Sequence, residues 1–219
     1  MSNVRGLKPN SPFADLLGEP PVSTLLAYIH ESWLRYVQRF QGAAPPFQER
    51  REPQLSQGLA AYLRQRQDAG EQPFAGDFFG ELSAFILDQK SGLPKCIART
   101  DIEWRLYGAP ALIIEFKVLD GKKQRREKYL EDGVMRFVHG RYSSSNKVGA
   151  MLGLLRKAAL QDTKLLQEEL TSNGSKHRCT SVVNASTVLP KIAHFDSMHS
   201  RSTPHLSPFQ LAHLFIELP

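Results

Sequence analysis

Apolar side chains recur along the chain with two periods, and the changes between them mark out its elements. In VSTLLAYIHESWLRYVQRF, Leu25, Leu26, Ile29, Trp33, Tyr36 and Val37 fall at helical spacing. A core-facing helix is predicted there, with Ser23 or Thr24 placed to cap it. QGAAPPFQERREP reads as a breaker, and SQGLAAYLRQRQ as a second, shorter helix. GDFFGELSAFILDQKSG reads as a third, ended by Gly92 before Pro94. The period then falls to two. KCIARTDIEWRLYGAPALIIEFKVLDG predicts strands over about 96–107 and 111–119, joined into an antiparallel hairpin by Gly108, Ala109 and Pro110. KKQRREKYLEDG has helical composition and stops at Gly133. VMRFVHGRY and KVGAMLGLL read as strands joined by a polar loop, and LQDTKLLQEELTSNG as an amphipathic helix closed by Gly174. TSVVNAS and FQLAHLFIEL read as the last strands.

This order predicts an α/β protein with a central mixed β-sheet flanked by helices. A single domain over 23–219 is expected, helical over 23–92, after a loosely packed segment 1–22 rich in Pro, Gly and Ser. A chain of 219 residues suffices for one well-buried domain. Composition adds little, with 41% hydrophobic and 23% charged residues being ordinary for a globular protein. No apolar run approaches the roughly 20 residues that span a bilayer, and the first residues lack a secretory pattern. A cytoplasmic protein with no membrane partner is therefore expected. Cys96 and Cys179 stand alone, without metal-ligand spacing, and read as free thiols. The net charge of +6 favours polyanionic partners.

The hairpin carries the candidate chemistry. Side chains alternate across a strand, so Ala111, Ile113, Glu115 and Lys117 share one face and Leu112, Ile114, Phe116 and Val118 the other. In the partner strand Asp101, Glu103 and Arg105 share a face, so pairing can bring Asp101 or Glu103 near Glu115, with Lys117 alongside. Clustered buried carboxylates are costly unless a cation compensates. Mg2+ is suited to that place because it prefers oxygen ligands and retains several waters.

Asp101 in RTDIEW, followed by Glu115-Phe116-Lys117 in LIIEFKVL, resembles the PD-(D/E)XK nuclease superfamily, whose motif is an acid near a strand start and then (D/E)-X-K on an adjoining strand. The resemblance covers about 75–155 and implies a restriction-endonuclease-like core. Thr100 stands where the family's name has proline, and Glu103 is a rival for the first acid. In the family a glutamate on the preceding helix often joins the site, and Glu81 in FFGELSAF matches that place. Asp101, Glu115 and Glu81 would then bind Mg2+, or Mn2+ in its place, and Lys117 would position water. The resemblance further implies a hydrolase acting on DNA, in restriction or bacterial anti-phage defence. Its partners would be DNA, a second copy in a homodimer, and a larger ATP-driven protein, since this chain has no phosphate-binding G-x-x-x-x-G-K-[ST] loop.

Lys122, Lys123, Arg125, Arg126 and Lys128 follow the proposed active strand and are candidates for phosphate contacts; Tyr129, Arg136, His139, Arg141 and Tyr142 would extend that surface. Near the C-terminus, His194, His199, His205 and His213 match no zinc spacing. His194 and His213 read as structural, and Asp196, His199 and Arg201 as a polar turn near the sheet; the alternative is that His199 and Arg201 reach the scissile phosphate or an adjoining one. Three functions stay open: a metal-dependent DNA nuclease, a catalytically inactive nucleic-acid-binding subunit, and an enzyme acting on RNA or a nucleotide.

Overall fold

A computed structural model of the chain describes residues 21–81, 83–87, 94–106, 109–142, 147–159, 161–201 and 208–219. The segment 1–20, His205 and the hairpin tip at 107–108 lie outside the described residues. Helix α1 (Val22–Phe40) follows Pro21, with Ser23 and Thr24 inside its first turn rather than capping it. Helix α2 (Glu52–Asp68) begins earlier than its apolar pattern suggests. Pro53 in the first turn needs no N–H partner there, and Gln54 Oε1 accepts the Arg51 N–H at 2.8 Å.

Strands β1 (Asp77–Gly80) and β2 (Ser83–Leu87) occupy the stretch expected to be a helix. An apolar run this short fits either element, and here pairing decides it. β1 joins β4 (Ile102–Leu106), while β2 pairs with β3 (Pro94–Arg99) in a separate two-stranded sheet. The strand expected over 96–107 is thus two strands, parted at Thr100 and Asp101.

The antiparallel hairpin forms, but Ala109 and Pro110, expected in its turn, are paired residues of the strand. β4 runs antiparallel to β5 (Ala109–Leu119), with Ile102 opposite Ile114, Glu103 opposite Ile113 and Arg105 opposite Pro110. The seven-stranded mixed sheet continues through β6 (Val148–Leu155), β9 (Phe209–Glu217), β8 (Phe195–His199) and β7 (Cys179–Val183), in the order β1-β4-β5-β6-β9-β8-β7. β5, β6 and β9 are mutually parallel and the other pairs antiparallel. Strand β8 stands where a polar turn is expected; its polar side chains, Asp196, Ser197 and His199, are all buried.

Helices cover both faces. Leu112, Ile114, Phe116 and Val118 pack in one core with Leu25, Ile29 and Trp33 of α1 and Leu55, Leu59 and Leu63 of α2. Ile113 joins the other, with Met151, Phe195, Leu211 and Phe215 from the sheet and Leu166 and Leu170 of α5 (Asp162–Ser172). Also in it are Tyr129, Leu130, Val134 and Phe137, from a helix comprising α3 (Lys123–Lys128), a π-helical turn (Tyr129–Val134) and α4 (Met135–Val138). VMRFVHGRY is therefore helical where it enters an element, not a strand. Gly133 does not end the helix; a Cβ there would collide with the Met151 Cε, so the glycine allows the helix to lie close on the sheet. No helix among the described residues is long and apolar enough to cross a membrane.

Candidate functional site

β5 outruns its partner. The β4 ladder ends at the Ile102–Ile114 pair, yet β5 continues to Leu119. The amides beyond that pair on the β4 side need other acceptors, and two carboxylates supply them. Asp101 Oδ2 accepts the Phe116 N–H at 2.8 Å, and Glu52 Oε2, from the first turn of α2, accepts the Val118 N–H at 3.0 Å. These amides bracket Lys117, so the sheet's own hydrogen-bonding pattern draws two acids to it.

Lys117 Nζ lies 2.6 Å from Glu115 Oε1 and 3.1 Å from Glu52 Oε1. Glu115 is 1% exposed and Lys117 9%. Two further donors reach Glu115: Tyr142 donates its O–H to Oε2 at 2.6 Å, and Arg136 donates to Oε1 at 3.1 Å. Glu103, on the same face, is buried and pairs with Arg105 at 2.8 Å. Asp101, immediately before β4, is the acid whose charge couples to Glu115 and Lys117.

The cluster is short of positive charge around Asp101. Burial and the Glu115 carboxylate push the Asp101 carboxyl up to about 7, against the pull of Lys117 and the Phe116 amide. Burial alone would lower Lys117, but Glu115, Glu52 and Asp101 outweigh it and hold the ammonium above its ordinary range. Among the described residues, no three His, Cys, Asp or Glu side chains gather closely enough to enclose a metal ion. Mg2+ does not require that, since it is commonly held by one or two carboxylates, substrate phosphates and its own waters. Of the three carboxylates, Asp101 and Glu115 are the pair that could offer oxygen ligands to such an ion, Asp101 being under-compensated, while Glu52 is held across the Lys117 ammonium.

Beside the cluster is a cleft of about 220 Å³ lined by Glu52, Lys117, Val118, Arg125, Lys128, Asp132 and Arg136. Of the five cations expected on one phosphate-binding surface, the fold brings Arg125 and Lys128 to this cleft. Lys123 and Arg126 line a different groove, against α5, and Arg126 is tied to Asp162 at 2.6 Å. Lys122 is solvent-exposed, 3.7 Å from Asp120. A short helix with cations at successive positions presents them on several sides.

Glu81 is not on a helix. It sits between β1 and β2 with φ of 48°, gives its N–H to the Asp101 carbonyl at 3.0 Å, and lines a groove with Gln57, Ala60, Ala61, Arg64 and Gly80. The helical glutamate at Lys117 is Glu52, which sequence reasoning misses inside the breaker QGAAPPFQERREP. Its signal is Glu-Pro just ahead of an apolar run of helical period, a common helix start.

Of the C-terminal histidines, His199 and His213 form a buried chain that does not line the cleft, while His194 is exposed and accepts the Phe215 N–H at 3.3 Å. His199 Nδ1 lies 2.9 Å from the His177 carbonyl, which only accepts, so this nitrogen donates. His199 is held down to about 4 by burial and His213 well below its ordinary value, so both rings are neutral near pH 7. The remaining directions follow. Ser197 O–H donates to His199 Nε2 at 2.7 Å, His213 Nε2–H to Ser197 Oγ at 2.7 Å, and Tyr129 O–H to His213 Nδ1 at 2.8 Å. Asp196 accepts from Ser186, Thr187, Val188 and Gln210, and Arg201 stacks 3.6 Å over the Phe209 ring. The phosphate-reaching role considered for His199 is incompatible with its full burial. Compared with known proteins, the chain matches no family model, no curated protein and no solved structure.

Proposed function

We propose that the protein is a Mg2+-dependent nuclease hydrolysing DNA phosphodiester bonds at the Glu52, Asp101, Glu115 and Lys117 cluster. The observation that carries the reading is convergence: acids from α2, from just before β4 and from β5 surround one buried lysine at the mouth of a cationic cleft. The chain order of helical glutamate, acid and E-X-K is also the order in the nuclease resemblance, with Glu52 taking the place expected of Glu81. Asp101 and Glu115 would hold the ion. When bound there, Mg2+ supplies charge stabilisation to a phosphoryl oxygen and makes water a stronger nucleophile.

The chain's own side chains do the rest. Lys117 stays an ammonium, so it orients water and offsets charge on the phosphate rather than removing a proton. Arg125, Lys128 and Arg136 hold the phosphate backbone in the cleft, contacts that give affinity without reading sequence. A cytoplasmic role in restriction or anti-phage defence, alone or as a homodimer beside an ATP-driven partner, would suit such an enzyme.

The test is cleavage of labelled single- and double-stranded DNA by purified protein with Mg2+ or Mn2+, against EDTA and against Glu115→Gln. Metal-dependent cutting that Glu115→Gln abolishes is expected; cutting that survives EDTA or this substitution would sink the proposal. A second reading, a DNA-binding subunit without chemistry, is favoured by one observation: each carboxylate of the cluster already accepts a hydrogen bond in the free protein. It predicts salt-sensitive DNA binding without cleavage in either metal.

A further inference from the structure

We propose that Tyr142 is a positioning residue for Glu115, its phenol fixing which lone pair of that carboxylate is left for a cation. The inference rests on the nuclease reading for the identity of the cation site. A carboxylate offers about four lone-pair directions. Glu115 Oε1 takes two donors, Lys117 at 2.6 Å and Arg136 at 3.1 Å, and Oε2 takes Tyr142 at 2.6 Å. Among the described residues no further donor reaches Glu115, so one direction is left on Oε2, and the phenol decides where it points.

The phenol is built into place from the sequence upward. In RFVHGRY, Gly140 adopts φ of 70° and ends α4. Gly140 N–H bonds the Phe137 carbonyl at 3.0 Å and Arg141 N–H the Arg136 carbonyl at 3.0 Å, the paired bonds of a glycine-terminated helix. That turn folds Tyr142 back under its own helix. Its ring meets Phe137 edge-to-face at 4.9 Å between centroids and is 1% exposed. Arg136 donates to the phenol oxygen at 2.8 Å. An arginine only donates, so the single phenol proton is directed at Glu115. The sequence places Tyr142 on a DNA-facing surface; it stands behind the acid instead. Hydrogen-bonding partners of ligating side chains set their orientation, and losing one commonly weakens metal affinity by about 10–100-fold.

The experiment compares wild type with Tyr142→Phe, which keeps the ring and removes the hydroxyl. Mn2+ binding is measured by calorimetry without DNA, thermal melting without metal, and kcat and KM on DNA with Mn2+. Tyr142→Phe should melt within a few degrees of wild type, bind Mn2+ about tenfold more weakly, and lose at least tenfold in kcat with KM within twofold. A purely structural phenol would move the melt and leave Mn2+ affinity alone. Equal Mn2+ affinities overturn the positioning role, whether or not the protein cuts DNA. A wild type that binds Mn2+ but cuts nothing overturns the nuclease reading, and the ratio of affinities then decides the role of Tyr142. A wild type that binds no Mn2+ overturns both.

Discussion

Lys117 is the counter-ion on which the cluster depends, so replacing it should injure the fold as well as any chemistry. Its ammonium is 2.6 Å from Glu115 and 3.1 Å from Glu52, with Glu115 at 1% exposure. Removing one member of a buried pair leaves an uncompensated charge, at a cost of about 3–5 kcal/mol. Glu115 keeps Arg136 and Tyr142 as donors, and Glu52 is partly open to water. The lower end applies, so Lys117→Met should lose about 3 kcal/mol. For a domain of this size that is a fall in Tm of roughly 6–12 °C. Guanidinium denaturation at pH 7.5 measures it, alongside Glu115→Gln and the double variant. Removing both charges should recover most of the loss, a coupling that the double-mutant cycle reads directly. A Lys117→Met protein as stable as wild type would refute the buried counter-ion. The practical corollary is that lost cleavage in a Lys117 variant is evidence about catalysis only once folding has been checked.

Asp101 should behave in the opposite way. Its carboxyl sits at about 7 in the folded protein, against an ordinary value of 3.8. An acid raised on folding favours the folded state at low pH, and that contribution is lost as pH rises through about 7. Asp101→Asn, which can still accept the Phe116 amide, should therefore stabilise the protein at pH 8. The gain should be about 1–2 kcal/mol, below the ~4 kcal/mol of the full rise because water reaches part of the side chain; it should shrink to about a third at pH 5 and vanish only toward about pH 4. Denaturation of both proteins at pH 5 and pH 8 tests this, and a less stable variant at pH 8 would contradict it. In that Asp101→Asn background the histidine chain becomes visible. His199 and His213 are both depressed on folding; the His199 contribution is present above about 6.5 and lost as pH falls toward about 4, and that of His213 is likewise lost on acidification. His199 alone should cost about 2 kcal/mol between pH 7 and pH 5; a flat profile there would show that the rings are not buried neutral. Gly133→Ala should cost about 1–3 kcal/mol by pushing the helix off Met151, and a neutral effect in denaturation would place the helix farther from the sheet.

Much of the site could be read from period-two arithmetic, because β5 is buried on both faces and its two sets of side chains must part. Ile113, Glu115 and Lys117 do face away from Leu112, Ile114, Phe116 and Val118, and the hairpin does bring Asp101 alongside. The missing parts are those that long-range packing decides. Glu52 lies 65 residues before Lys117 in the chain, and nothing local links a helix start to the unpaired amides of a distant strand. DFFGELSAFIL carries enough apolar residues for either period, and only its partners make it strands. Gly133 has the look of a helix stop, but its lack of a side chain serves contact with Met151. Asp196, Ser197 and His199 are polar enough to suggest a surface turn, yet hydrogen bonds received from Ser186, Thr187 and His213, and one given by His199 to the His177 carbonyl, allow them to be buried.

The most direct measurement is anomalous diffraction from crystals soaked in Mn2+. One manganese peak is expected within coordinating distance of Asp101 and Glu115, with the Lys117 ammonium beside it, and no peak there in Asp101→Asn crystals. Crystals in which Lys117 still bridges Glu52 and Glu115, with no manganese at Asp101, would contradict the metal-dependent site.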